Sequence, residues 1–300
     1  MGRLIKAEFR KILTTKLWWA LAIPAVALAV GWGWLSSVAF TDVGDGLDDI
    51  LANYNIDVSE VSWASLGLTR AMNFATLFPM VFGALALASE ISRRTITTSF
   101  LTAPTRATVL GAKAVVYTLW GLIYGVVVAL AASLGTLIGA GEKRLPEVGD
   151  WMLILMAGII ACVLWTLLGM GVGALLGSPV ATLVILLIYA ALVGPVAELI
   201  ITLASEGESH IAGIMPNGSA NGLTGSTASE LLLGQVQDAI SASGLVELQG
   251  EDADDFNSVV RALAGAPGAF SLWISGLIFA GWTALFFGLG IFRNQTRDVT

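Results

Sequence analysis

Six runs of apolar residues, each long enough to cross a bilayer, constrain this chain more than any other feature. A spanning helix needs roughly 20 apolar residues to cover a hydrocarbon core of about 30 Å. The runs cover Leu17 to Phe40, Ala71 to Ser89, Ala114 to Gly141, Trp151 to Gly177, Pro179 to Ala204 and Ala266 to Phe292. In lipid, backbone N–H and C=O groups must be satisfied within the segment, which makes such runs helical. The predicted fold is an all-α integral membrane protein, a single transmembrane domain over residues 1–300 with six transmembrane helices. Composition agrees: 12% of residues are charged, against about 25% in soluble domains.

Charge sets the orientation. Six spans place both termini on one side. That side would hold Arg3, Lys6, Arg10, Lys11, Lys16, Arg93, Arg94, Arg106, Lys113, Arg293 and Arg297, 11 of the 15 basic residues, with only Glu8, Glu90 and Asp298 as acids. Lys and Arg near span ends stay in the cytosol, whereas acids contribute little. Both termini are thus expected to be cytosolic, in a multi-pass protein of the plasma membrane. Trp18 and Trp19 at one end of the first run, and Trp32 and Trp34 at the other, fit interfacial belts.

The loops follow. Residues Met1 to Lys16 read as a basic amphipathic interfacial helix lying along the membrane. A cleaved signal peptide, with Ser37-Val38-Ala39 as its processing site, fits less well, because the charge-free run of 24 residues exceeds an h-region of about 7–15. Thr41 to Arg70 reads as an acidic external loop, Glu142 to Asp150 as a short external turn, and Ser178-Pro179 as a tight internal corner. Ser205 to Gly265 forms the largest loop, an external cap. In it, Phe256, Val259, Val260 and Leu263 fall on one helix face, and Ser229 to Ile240 gives a weaker helix. Asp252, Asp254 and Asp255 suit the first helix's start, and Gly265 with Pro267 its stop.

Several chemistries are excluded. The single cysteine, Cys162, and single histidine, His210, are too few for zinc, haem or iron–sulfur sites. The cluster Asp42, Asp45, Asp48 and Asp49 lacks the ligand spacing of an EF-hand and reads as a solvated loop. A net charge of −7 argues against nucleic acid as a partner. No charge lies deep in a span; Arg70 and Glu198, near the outer ends of the second and fifth, could reach the interface or each other. That weakens a proton-coupled transporter. Gly169, Gly173 and Gly177 repeat at four-residue spacing, as do Gly121 and Gly125. Such spacing lets helices approach closely, within one bundle or across a dimer face. No phosphate-binding loop or nucleophile–base pair is present, so the chain reads as non-catalytic.

The remaining feature is the polar stretch Ser89 to Lys113, far longer than two antiparallel spans require. It carries Glu90, Arg93, Arg94, Arg106 and Lys113; Pro104 breaks it, and Thr105 can cap the helix that follows. Contact with anionic lipids is its plain reading. The pattern from Gly83 to Lys113, with Glu90-Ile91, Arg93-Arg94-Thr95-Ile96, Leu101-Thr102-Ala103-Pro104-Thr105-Arg106, Val109-Leu110 and Lys113, resembles the ABC type-2 exporter permeases. The opening Leu4 to Trp19 is similar to their basic helix before the first span, and Ile214 to Gly225 to their segment after the fifth.

The resemblance implies a permease subunit moving a substrate, in the export direction, with ATP hydrolysed by a separate ATP-binding-cassette ATPase. It implies a coupling helix over Glu90 to Phe100, seated on that ATPase, with Glu90, Ile91, Arg93, Arg94, Thr95 and Phe100 in the coupling loop and Arg106 bracing the third span. No cofactor is expected on this chain; ATP and magnesium belong to the ATPase. The other expected partners are a second permease copy or paralogue and membrane lipids. A secondary transporter or channel, or a non-transporting membrane anchor, are the alternatives.

Overall fold

The computed structural model describes residues 1–300 except 55, 102–104, 142–143, 206–208, 244–250 and 297–300; the side chains of 54, 98–99, 101, 251–255 and 296 are also outside the description. Pro104, Arg297 and Asp298 therefore lie outside the described residues. No strand occurs among those described, and six helical stretches are long and apolar enough to cross a membrane, as in a multi-pass membrane protein.

The chain opens with α1 (Gly2–Thr14). The first span is α2 (Leu17–Leu51), longer than the run to Phe40. Its extension carries Asp45 and Asp48, which pair with the Arg144 guanidinium at 2.7 and 3.8 Å. Leu47 and Leu51 pack against the core. Packing and ion pairing thus turn the first part of the expected acidic loop, Thr41 to Leu51, into helix. The second span is two helices, α3 (Ala64–Ala75) and α4 (Leu77–Ser92), separated at Thr76. Pro79 explains the break, since it has no N–H for the carbonyl four residues back. A short helix, α5 (Ile96–Leu101), precedes α6 (Arg106–Ala140), where Thr105 Oγ1 accepts the Thr108 N–H at 3.2 Å. α6 begins well before Ala114, which places Arg106 and Lys113 inside a helix.

The fourth span, α7 (Val148–Leu176), packs against α4, α6 and α13 (Leu272–Thr296), the sixth span. Gly169 and Gly173 face α4: a side chain at either position would run into the backbone of Met80 or Ala84. That face is therefore filled within the chain. Gly177 plays a different part. At φ +67° it ends α7 in the left-handed conformation, and Ser178 then caps the next helix. The fifth span comprises α8 (Pro179–Ile188), a π turn at Tyr189–Val193, and α9 (Gly194–Ala204).

The expected external cap differs most. After α10 (Ile211–Ile214) comes one long helix, α11 (Pro216–Ala242). Trp282, well inside α13, donates its indole N–H to the Ile214 carbonyl at 2.8 Å. The chain therefore folds back among the spans, and α11 packs on α3, α7 and α13. Gly218, Ala220, Gly222, Gly225 and Ala228 read as loop composition, yet all are buried, and their small size is what admits a helix here. In α12 (Glu251–Leu263), Val260 is buried, Phe256 and Leu263 pack beside it, and Val259 points outward. The sixth span starts at Leu272, later than Ala266.

Gly173→Leu should lose its folded, monodisperse species in detergent, since the added side chain has only the α4 backbone to meet. Gly177→Ala should keep it, at a cost of about 1–2 kcal/mol for a left-handed residue. Size-exclusion chromatography with a thermal ramp distinguishes the two.

Candidate functional site

The basic end of the bundle is built around a buried lysine. On α6, Lys113 sits among Val109, Leu110, Val116 and Tyr117, all buried, and is itself 0% exposed. Its Nζ lies 2.7 Å from Glu8 Oε2 on α1 and 2.7 Å from Glu90 Oε1 on α4. Lys11 also donates to Glu90 and stands 3.9 Å from Glu8. Two ammonium groups and two carboxylates thus alternate across three helices, giving a locally neutral cluster. Burying an unpaired charge is costly, and pairing with good hydrogen bonds offsets it.

Local sequence explains why each charge faces inward. On α1, Glu8 shares a face with Leu4, Ile5, Phe9 and Ile12, while Arg3, Lys6 and Arg10 are exposed. On α4, Glu90 continues the buried line of Phe82, Ala86 and Leu87. About two turns further along α6, Trp120 contacts Phe9, Trp18, Phe82 and Tyr124 at ring separations between 5.7 and 6.4 Å. The cluster is therefore covered by α1, and the same helix packs on the aromatic layer through Phe9.

Burial pulls the Lys11 ammonium toward neutrality, but the Glu90 and Glu8 carboxylates outweigh it and leave its pKa raised. A raised lysine stabilises the fold fully below its ordinary range, and that contribution is lost as pH rises through the raised value. The Lys11 contact is thus intact throughout neutral pH.

The expected coupling residues separate into two groups. Glu90 is buried in the ion cluster, and Ile91 packs on the apolar core beside it, so neither forms an open docking surface. Lys113, counted among the lipid-facing cations, is likewise unavailable. Glu90 to Phe100 is not one helix. Glu90 to Ser92 end α4, Arg93 to Thr95 form a turn with Arg94 at φ +58°, and α5 begins at Ile96. Ile96 is buried beside Ile12 and Leu110 and seats the short helix. Arg93, Arg94 and Thr95 are exposed, and neither guanidinium has a side-chain partner among the described residues.

Arg106 braces more than the start of α6. Its guanidinium lies 5.4 Å from the Phe100 ring centre and donates to the carbonyls of Asn294 and Gln295 at 3.3 Å, tying α5 to the end of α13. A cation at a helix C-terminus complements the helix dipole. The turn therefore presents two exposed cations, without a side-chain partner among the described residues, between α4 and α5.

Glu8 is the member of the cluster that a loop-centred reading passes over, and Lys113 is read there as a surface cation rather than a buried one. Their signal is a charge at helical spacing within an apolar face. Comparison with known protein families finds no match, and no curated protein is significantly similar.

Lys113→Met should leave Glu8 and Glu90 with only the half-exposed Lys11 to pair them and destabilise the protein by about 3–5 kcal/mol. Arg93→Ala and Arg94→Ala should each change stability by less than about 0.5 kcal/mol, as exposed surface positions do. Thermal unfolding of the purified chain compares them directly.

Proposed function

We propose that this chain is the permease subunit of an ATP-binding-cassette exporter of the type-2 class, driven by ATP hydrolysed on a separate subunit. The observation that carries this reading is the Arg93–Arg94 turn, two adjacent exposed cations on a mount fixed by Lys113 and Arg106. The resemblance from Gly83 to Lys113 and the six apolar helices support it.

On this reading the basic end lies in the cytosol of a plasma-membrane protein, and the Arg93–Arg94 turn and α5 sit on the ATPase. ATP and magnesium are bound there, and this chain is not itself an enzyme. A second permease completes the assembly. The mount gives the coupling a physical route. Because Glu90 belongs to α4 and is ion-paired to α6 and α1, a displacement of the turn moves α4 as a body. A driven change requires differential contact in two states, and an exposed turn continuous with a span can supply it.

The test is charge reversal at Arg93→Glu and Arg94→Glu together. The altered chain should remain monodisperse, yet lose co-purification with its ATPase by about tenfold or more, the loss of a few charge-assisted contacts. Retained association together with retained ATP-dependent export would contradict the assignment and leave lipid contact as the role of these cations.

A further inference from the structure

A cavity of about 320 Å³ opens at the other half of the bundle, between α3–α4, the fifth span, α11 and the end of α12. Pockets for drug-sized ligands begin at about 300 Å³. Both main walls are interrupted helices with a proline nearby. Pro79 follows the break at Thr76; Pro195 follows the π turn, where Gly194 N–H reaches back five residues to the Tyr189 carbonyl. Single π turns inside α-helices recur at functional sites.

The lining is graded. Along α3–α4, Arg70, Asn73, Leu77 and Met80 face the cavity in that order; along the fifth span, Thr202, Glu198, Pro195 and Ala191 do so. The charged side chains lie at one end of both walls, with Phe74 and Leu199 among them, and past Thr76 the lining toward the middle of the bundle is apolar. Asn217 and Asn221 add amides from α11, and Trp165 adds apolar surface from α7.

At the polar end, two opposite charges share the space without pairing. Glu198 is 3% exposed, belongs to no ion pair among the described residues, and takes one hydrogen bond, from Asn217 Nδ2 at 2.9 Å. Arg70 donates Nε and Nη2 to the carbonyls of Leu263 and Ala262, at 2.9 and 2.8 Å, and feels the Glu198 carboxylate across the cavity without forming a direct ion pair among the described residues. Beside them, Asn73 accepts from Thr224 through Oδ1, while its buried Nδ2 has no partner among the described residues. Buried polar groups are normally satisfied, and an exception in a cavity marks a place for a ligand atom.

We propose that this cavity binds a zwitterionic amphiphile: an ammonium group against Glu198, an anionic oxygen group against Arg70 and Asn73, and an apolar chain along Leu77, Met80 and Trp165. A ligand carrying both charges satisfies both walls; a singly charged one leaves a buried charge of its own sign facing it. The same head chemistry is found on a membrane phospholipid and on a water-borne amphiphile. Calling the ligand cargo rests on the export reading; binding itself does not, since it is measured on this chain without an ATPase.

The experiment uses the full chain in dodecyl maltoside and follows thermal unfolding with four probes: dodecylphosphocholine, dodecyltrimethylammonium, dodecyl phosphate and glycerophosphocholine. A ligand that binds only the folded state raises Tm, and at equal concentration raises it more the more tightly it binds. Dodecylphosphocholine should bind about tenfold more tightly than any of the other three. Glu198→Gln keeps an acceptor for Asn217, and should abolish the preference for dodecylphosphocholine over dodecyl phosphate. Leu77→Trp, which fills the apolar end, should weaken every dodecyl probe and serves if the first variant does not fold. Equal binding of the zwitterion by wild type and Glu198→Gln, or equal binding of all four probes, overturns the proposal. Zwitterionic phospholipid extracted from wild type but not from Glu198→Gln assigns the source to the bilayer. Probe binding with no such retained lipid assigns it to a soluble amphiphile, and both support the site.

Discussion

The Lys113 ammonium between Glu8 and Glu90 is the interaction on which the basic end depends. It joins three elements separated in sequence, at a depth where water does not reach Nζ. Remove one charge and the others are left in a poorly solvating site, which is why such clusters break at high cost although their net stabilisation is modest. The consequence is mechanical as well as energetic. α1 cannot lift from the bundle, nor can the end of α4 shift, without disturbing the same nitrogen. The exposed Arg93–Arg94 turn thus stands on a firm base.

The other half of the bundle is organised differently. There the helices are interrupted, at Thr76 and at the Tyr189–Val193 π turn, and a helix rich in small residues fills the space that opens. Asn217 meets Glu198 from that helix, while Arg70 holds the end of α12 from α3. α4 runs from the cavity, which Leu77 and Met80 line, to the ion cluster, which Glu90 joins, so one helix borders both.

Much of this was legible in the residues. Apolar run length gives the six spans, and the Thr105 cap and the Ser178-Pro179 corner follow from local chemistry. What was not legible depends on contacts between distant segments. Thr41 to Leu51 looks like loop because its acids are solvated in isolation; Arg144 and core contacts make it helix. Ser229 to Ile240 already reads as helix, but Pro216 to Ala228 before it looks like loop because Gly, Ser and Asn disfavour helix, and only close-packed neighbours reverse that. Glu90 sits in a polar stretch and reads as surface until Lys113 is placed against it. The period of apolar residues around Lys113 and Glu8 was the one available sign.

Hydrogen exchange tests the central claim most directly. In lipid nanodiscs, Lys113→Met should cost α1 and the Arg93 to Leu101 segment their amide protection together, while α7 and α11 keep theirs. If α1 exchanges faster while the turn and α5 stay protected, or if neither changes, the buried lysine does not fasten the loop and this account of the basic end fails.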